Sequence, residues 1–346
     1  MRPRLSSARR PAVRCTWVRR TWVRRALVAA FGAAMASAIA PPPLRAQGGL
    51  STEGALFLLV PVGARTVGRG QTIAAAESGS ESLWGNPAGI ARMTTKEIAL
   101  HYSKTVVADG TVLAVVYPAG KAGVIAVGAQ LYDYGAQDFT DQVGTIGQLL
   151  PRSVVAAATY AATVGPRVRA GVTYKLVQSR LDCTGPCGSI STFNASTSAF
   201  DAGVQYATLR ADSLTFGFVM RQLGLKLQVN DNAQSDPLPT RLHVGVQALV
   251  PAVTRVLAGA ELRWSAELVN RTSLNDPAVR VGAELGLQKQ LYLRGGYASG
   301  TGDATGPAFG LGFVRGKLAL DFARVFGGFS SDAGQPPTYL TLRVRF

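Results

Sequence analysis

The chain has 346 residues, of which 47% are hydrophobic and 39 are glycine, and its formal net charge is +16. Ten arginines precede residue 46, so a chain that begins at residue 47 has 300 residues and a charge of 16 − 10 = +6. The high isoelectric point therefore belongs largely to the N-terminal segment, and it does not indicate nucleic-acid binding.

Residues 1–46 have the composition of a secretory signal peptide. They contain ten arginines and no acidic residue. An uncharged stretch runs from Ala26 to Ala40 and is followed by Pro41. A membrane-spanning helix needs about 20 apolar residues, which disfavours an N-terminal anchor. We predict a cleaved signal peptide that ends at Ala46.

Residues 47–96 lack the alternating pattern of strands. The glycines Gly68 and Gly70 invite a nucleotide-loop interpretation, but Ile73 stands where the third glycine of that motif belongs. The segment ends in the run Trp84-Gly-Asn-Pro-Ala-Gly89, in which the asparagine side chain and the proline favour a tight turn.

From residue 97 onward apolar and polar residues alternate with period two, which places one set on each face of a strand. Near residue 346, Leu340 and Leu342 alternate with Thr341 and Arg343. We predict an all-β chain with about fourteen strands over 97–346. The predicted strands are 97–106, 110–118, 123–133, 152–164, 167–180, 200–208, 214–222, 241–249, 255–265, 278–287, 291–298, 306–315, 318–325 and 339–346.

Alternation alone fits both a soluble sandwich and a membrane barrel, but the lengths of the connections distinguish them. From the third predicted strand onward, long and short connections alternate, as in outer-membrane barrels with short periplasmic turns. The first loop, 107–109, is shorter than that rule expects. The sequence therefore predicts an antiparallel β-barrel in the outer membrane of a Gram-negative-type bacterium, in contact with outer-membrane lipid. The aromatic Phe346 resembles the signal that the outer-membrane assembly machinery recognises.

Two cysteines, Cys183 and Cys187, lie beyond the predicted cleavage site. In an oxidising compartment we expect them to form a local disulfide. A metal site is disfavoured because His101 and His243 are far apart in sequence and no further ligands lie near the cysteines. The sequence shows no GxSxG or HExxH motif and no carboxylate pair, so we predict neither catalysis nor a cofactor.

Several blocks resemble the PorV/PorQ family of outer-membrane proteins, which are related to FadL-like fatty-acid transporters. They are the runs Phe57 to Gly70, Trp84 to Gly89, Arg280 to Glu284 and Leu293 to Tyr297, with Gly310 to Phe313 and Leu318 to Phe322. The resemblance implies a fourteen-stranded barrel with residues 47–96 folded into the lumen as a hatch. The run Glu77-Ser-Gly-Ser-Glu81 departs from the more Asp-rich run of that family.

The turn formed by Asn86, Pro87, Ala88 and Gly89 is the expected anchor of this hatch against the barrel wall. A static plug is favoured over a moving gate, because a wide lumen cannot be filled by wall side chains alone. The predicted lumenal cations are candidate contacts for an anionic ligand, although pairing with buried acids is the favoured interpretation. These cations are Arg169, Lys175, Arg241, Arg280 and Arg294.

Two functions follow from the resemblance. The favoured one is a binding or secretion-partner role at the outer membrane, similar to that of PorV-type proteins in type IX secretion, with secretion-system proteins or cargo as partners. The alternative is FadL-like transport of a hydrophobic small molecule. The sequence identifies neither the ligand nor the cargo.

Overall fold

The computed structural model describes residues 53–76, 79–140, 144–185, 193–208, 213–228, 235–270, 277–300 and 304–346. The predicted signal peptide and its cleavage site lie outside these residues. Among the residues described, no helix is long and apolar enough to cross a membrane.

Fourteen antiparallel strands form one closed barrel. Each strand pairs with its neighbours in the chain, and the last strand pairs with the first, so the connectivity is a simple meander. The strands are β1 (Glu97–Lys104), β2 (Asp109–Pro118), β3 (Val124–Asp133), β4 (Thr145–Val164), β5 (Val168–Thr184), β6 (Phe193–Ala207), β7 (Leu214–Gly224), β8 (Arg241–Leu249), β9 (Ala260–Asn270), β10 (Ala278–Leu287), β11 (Leu291–Ala298), β12 (Gly306–Arg315), β13 (Leu318–Val325) and β14 (Thr338–Arg345).

The alternation of the sequence becomes the two faces of the barrel. In β1 the burial pattern alternates strictly, with Glu97 and His101 buried while Ile98 and Leu100 are exposed. Exposed large apolar side chains recur on the outward face of nearly every strand. An apolar outside and a polar inside are the inverse of a soluble sandwich, so the outer surface faces lipid and the protein is an outer-membrane barrel.

The two ends of the barrel differ in their connections. Short turns join β2 to β3, β4 to β5, β10 to β11 and β12 to β13, at the end where β1 begins and β14 ends. Longer connections join the strands at the other end, with the β1–β2 connection, 105–108, as a short exception. By the rule for such barrels, the short-turn end is periplasmic and the long-connection end is extracellular.

Four predicted strands differ from the structure by more than two residues at one or both ends. The ninth, predicted at 255–265, begins only at Ala260, because a short helix, Pro251–Val256, occupies the turn before it. Strands β4, β5 and β6 extend further than predicted, since their outer ends leave the membrane and lose the apolar alternation. There the additional strand Gln137–Thr140 pairs with β4, and a separate two-stranded ladder joins Leu227–Gln228 to Ser235–Asp236.

Candidate functional site

The residues between 53 and 96 pack against the inward faces of the strands, and we call their described parts, 53–76 and 79–96, the lumenal segment. Its regular elements are short: the 3₁₀ turns Leu56–Leu59, Gly79–Leu83 and Pro87–Ile90, and the helix Ala64–Gly68. Near the extracellular mouth, the Gly54 amide donates to the Pro237 carbonyl at 2.9 Å. The segment then runs to β1 at the periplasmic end.

One side of the lumen is uncharged and mostly apolar, with Gln130, Ser153 and Thr159 as its buried polar residues. The buried residues of β2, β3 and β4 include no Asp, Glu, Lys or Arg, and we call this face the apolar wall. Apolar residues of the lumenal segment form one cluster with it, and the Phe57 and Tyr132 rings lie 6.0 Å apart. The segment residues in this cluster are Phe57, Leu58, Val62, Leu83, Trp84, Ile90 and Ala91, and the wall residues include Val112, Val116, Val124, Ala126, Val155, Ala157 and Ala161.

The opposite side carries a chain of buried ion pairs along β10 to β14, which we call the ionic wall. Asp321 accepts from Arg294 at 2.7 Å and also from Arg343. Arg294 donates in turn to Glu284 at 2.6 Å, and Glu284 also pairs with Arg65 of the lumenal segment at 3.1 Å. Each charge in this chain has an opposite charge beside it, which offsets the cost of burial.

Two wall side chains on this side receive the backbone of the lumenal segment. Glu267 accepts from the amides of Ile73 at 2.7 Å and Ala74 at 2.6 Å, and His243 holds its other oxygen at 2.8 Å. The Thr341 hydroxyl accepts from the Ala64 amide at 3.0 Å. These directional bonds fix the height and rotation of the segment relative to the ionic wall.

Within the segment, Glu81 ties two of its elements together. Its carboxylate accepts from the Thr66 amide at 2.8 Å, from the Thr66 hydroxyl at 2.6 Å and from the Arg65 amide at 3.3 Å. Burial raises the pKa of the Glu81 carboxyl, while the charge of Arg343 and the Thr66 hydroxyl bond act in the other direction. The carboxyl thus supports the start of the Ala64–Gly68 helix.

A β-bulge lies in the barrel wall at β6 and β7, between the apolar wall and the ionic wall. The pairing of β6 with β7 shifts register at Asp201, opposite Gln222, whose φ of 56° is left-handed. The Gln222 amide donates to Asp201 at 2.8 Å, and its side chain donates to the Leu58 carbonyl at 2.7 Å. The bulge therefore directs a buried amide side chain onto the lumenal segment.

Three pairs of glycines lie directly opposite each other on neighbouring strands, beneath the lumenal segment. They are Gly171 with Gly203, Gly217 with Gly245, and Gly282 with Gly296. Each pair leaves the space that two side chains would fill, so the segment approaches the wall at backbone distance.

Each glycine pair receives a different part of the segment. A Cβ atom at Gly171 would lie 2.6 Å from the Pro87 carbonyl carbon, and one at Gly217 would overlap the Ala74 carbonyl. At the third pair, Gly296 would overlap the Gly70 amide. The wall thus recognises the segment by the path of its backbone.

Asn86 occupies the first of these sites. Its side-chain oxygen accepts from the Ala88 amide at 3.0 Å, and its side-chain nitrogen donates to the Ala74 carbonyl at 2.6 Å. A Cβ atom at Gly203 would overlap the Asn86 side chain. The turn of Asn86, Pro87, Ala88 and Gly89 is buried, and it links two stretches of the lumenal segment to β5 and β6.

Each of the five candidate cations contacts a group of the protein. Lys175 pairs with Asp201 at 2.6 Å, and Arg169 donates to Gln205 at 3.4 Å. Arg294 belongs to the ionic wall. Arg241 binds Glu53 through two bonds of 2.9 and 2.7 Å, and Arg280 donates to the Gln71 carbonyl at 3.1 Å. Two of the five thus hold the lumenal segment directly.

The larger cavity opens at the periplasmic end and has a volume of about 500 Å³. Its lining is polar and includes Arg65, Arg92, Glu261, Arg263 and Lys289. A cavity of about 20 Å³, the space of one water molecule, lies under Pro61 and Trp84.

The remaining predicted site residues are only partly described. Cys183 is disulfide-bonded, and its predicted partner Cys187 lies outside the described residues. Among the described residues no group of three His, Cys, Asp or Glu side chains could hold a metal ion.

Sequence reasoning did not identify Glu267 or the glycine pairs as contacts of the segment. Glu267 lay beyond the predicted end of its strand. The glycines had a usable signal, because Gly171, Gly203, Gly217 and Gly245 all fall on the inward-facing parity of their strands.

These features define an outer-membrane β-barrel whose lumen is occupied by its own N-terminal region. No protein-family model matches the chain, and no curated protein sequence does. The PorV/PorQ resemblance is therefore not confirmed.

Solved structures with a similar fold are outer-membrane channels. The CymD monoaromatic hydrocarbon channel has a TM-score of 0.54 at 12% identity, over 83% of this chain and 97% of its own. A deltaS2 mutant of the TodX monoaromatic hydrocarbon channel has a TM-score of 0.51 at 13% identity, over 82% and 97%. At these identities the comparison establishes a shared barrel fold.

Proposed function

We propose that the protein is an outer-membrane channel for hydrophobic small molecules and that the lumenal segment is its hatch. The observation that carries this proposal is the apolar wall. An uncharged face of β2, β3 and β4 runs along the lumen, and apolar side chains of the lumenal segment, such as Phe57, Leu83 and Trp84, pack against it. A polar solute gains nothing from such a face, whereas an apolar molecule does.

The two walls hold the hatch by different kinds of contact. On the ionic wall, Thr341 and Glu284 hold it by directional bonds, and Glu267 of the neighbouring strand β9 does the same. On the apolar wall the contact is side-chain packing, which is non-directional. An apolar ligand can replace that packing with equivalent packing of its own. Passage therefore opens between the hatch and the apolar wall while the ionic contacts persist.

The similar structures support this proposal over the secretion role. CymD and TodX are described as monoaromatic hydrocarbon channels, and both share the barrel fold. The secretion-partner role rests on the PorV/PorQ resemblance, which no comparison supports, and it stays a prediction.

The test is uptake of an uncharged aromatic hydrocarbon, such as toluene at low concentration, by Gram-negative cells that express the protein. Cells are used because a phospholipid bilayer alone dissolves and passes such a molecule, whereas the lipopolysaccharide surface of an outer membrane slows it. Uptake should exceed that of cells without the protein, and Ala157→Leu, which fills the apolar wall, should lower it several-fold at equal amounts of folded protein. The matched control is Ala319→Leu, the same change at a buried position of β13, which should leave uptake close to the wild-type rate. Uptake no faster than in cells without the protein would refute the channel.

A disulfide tests how far the hatch moves. The Cβ of Ala74 lies 3.1 Å from the Cβ position of Gly245, close to the ~3.5–4.5 Å of disulfides. The double variant Ala74→Cys and Gly245→Cys should transport equally well oxidised and reduced if opening is confined to the apolar wall. Transport only after reduction would show instead that the whole hatch leaves. Wild-type protein with and without reductant controls for the native disulfide of Cys183.

A further inference from the structure

The periplasmic rim of the barrel carries exposed cations at nearly every described turn. None of the described residues in the turns 119–123, 165–167, 250–259, 288–290 and 316–317 is acidic. Together with the residue that precedes β1 and the last residue of β12, the exposed cations form what we call the basic rim. Its members are Lys96, Lys121, Arg167, Lys289, Arg315 and Lys317.

The basic rim is continuous around much of the barrel. In order along the closed sheet, its members lie at the β4–β5 turn, the β2–β3 turn, the β14–β1 seam, the β12–β13 turn and the β10–β11 turn. The extracellular end differs in the number of its acids, since six exposed or half-buried acids of the barrel are mixed with cations there, whereas Glu261 is the one such acid among the described residues of the periplasmic end. The six at the extracellular end are Asp109, Asp133, Asp138, Asp182, Asp236 and Asp332.

Exposed aromatic side chains lie on the outward face at the level of the rim. Tyr117 is 51% exposed, Tyr160 49% and Phe346 54%. Aromatic side chains at this position mark the boundary between hydrocarbon and headgroups. The rim cations therefore lie at the depth of the lipid headgroups.

The seam between β14 and β1 shows how a rim cation is held. The backbones of Lys96 and Phe346 exchange two hydrogen bonds, of 3.2 and 3.1 Å. The Lys96 ammonium lies 5.0 Å from the centre of the Tyr117 ring and 6.0 Å from that of Phe346. Aromatic faces orient an ammonium without neutralising it, so its charge stays available to an anion from the membrane.

We propose that the basic rim binds the anionic headgroups of phospholipids in the periplasmic leaflet. A soluble acidic partner would need only the charges. Lipid binding explains why the cations lie beside outward-facing aromatic residues, at the edge of the apolar outer surface of the barrel. Several cations near a membrane surface attract anionic lipid in proportion to their number.

The experiment titrates the full protein in detergent with phosphatidylglycerol or phosphatidylcholine of identical acyl chains, and native mass spectrometry counts the bound lipid. Phosphatidylglycerol should be favoured on the order of tenfold. The triple variant Lys96→Gln, Lys121→Gln and Arg167→Gln should lose most of that preference. The matched control removes three exposed cations from the extracellular end, by Lys104→Gln, Arg152→Gln and Arg180→Gln, and should keep it.

Equal binding of the two lipids by the wild-type protein would overturn the proposal, and so would an equal loss in both triple variants. Equal binding of the two lipids would favour a soluble acidic protein, in place of lipid, as the partner of the basic rim. Salt dependence provides a measurement that needs no variant. The wild-type preference should weaken as ionic strength rises, because headgroup attraction is screened, and a preference insensitive to salt would also overturn the assignment.

Discussion

The two walls of the lumen achieve burial in opposite ways. The apolar wall excludes charge altogether and closes by packing, whereas the ionic wall collects charge and closes by pairing Asp321, Arg294, Glu284, Arg343 and Arg65. Packing tolerates replacement by any apolar molecule of suitable shape, while a paired charge tolerates only another charge. One wall is therefore suited to passage and the other to anchoring.

The largest effect is expected where the pairing is broken. Asp321→Ala leaves Arg294 and Arg343 buried without their shared acid, and we expect a loss of about 3–5 kcal/mol in the free energy of unfolding. Urea titration in detergent, followed by the mobility of the unboiled protein on a denaturing gel, measures it. The control Asp133→Ala breaks the exposed pair with Arg152 and an exposed bond from the Gly135 amide, and should cost less than about 1 kcal/mol. Similar losses in both variants would contradict the importance of the buried chain.

The next effect concerns backbone docking. Gly296→Val places a side chain where the Gly70 amide lies, so we expect the hatch to be displaced at a cost of about 1–3 kcal/mol, while the barrel stays closed. Hydrogen exchange of the amides of residues 66–76 should accelerate.

Gly295 is the matched control, because it is the adjacent residue on the opposite face and has nothing within 4 Å of its Cβ position. Gly295→Val should leave exchange in the hatch unchanged. Unchanged protection in Gly296→Val would show that the glycine pairs do not position the hatch.

A reciprocal isosteric exchange sharpens the comparison of the walls. Val155→Thr introduces a hydroxyl into the apolar wall, and Thr341→Val removes the acceptor of the Ala64 amide from the ionic wall. Both should lower the free energy of unfolding by about 1–3 kcal/mol. The two variants should differ in transport, with hydrocarbon uptake lowered only by Val155→Thr. Equal uptake in both would mean that the apolar wall is not the path.

The smallest effect is expected at the extracellular mouth. Glu53→Gln keeps the shape of the side chain but removes its charge from the pair with Arg241, whose members are 13% and 12% exposed. We expect a loss of about 1 kcal/mol in local stability, because the pair is partly solvated. Faster exchange of the Gly54 amide, with residues 66–76 unaffected, is the expected readout. Faster exchange throughout the hatch would show that it is released as one unit.

The barrel itself was predictable from the sequence. The strands Arg241–Leu249, Ala278–Leu287, Leu291–Ala298 and Leu318–Val325 agree with their predicted bounds, since strict alternation ends there at turns. The strand at Ala260–Asn270 was misplaced by five residues, because Pro251 begins a helix and the alternating pattern continues through it without a strand.

The contacts of the hatch were less predictable. Alternation places Arg280 on the inward face but does not decide which partner it meets there, and Glu267 lay beyond the predicted end of its strand. The two glycines of a pair, such as Gly217 and Gly245, are far apart in the chain and become neighbours only through the register of their strands. Pairing of the lumenal cations with buried acids was the favoured expectation. The particular acid beside each cation could not be predicted, because it depends on the register of the strands in the closed barrel.

The glycine pairs also bear on how such a protein can change over time. Where glycines of the wall contact the backbone of the hatch, the fit depends little on the side chains of those hatch residues. Residues of the hatch that face the apolar wall, such as Phe57 and Leu83, can therefore be exchanged without disturbing the contacts at Gly217 and Gly296 that hold the hatch. In the channel that we propose, attachment and ligand preference are carried by separate atoms, so single substitutions at the apolar wall would change the ligand without releasing the hatch.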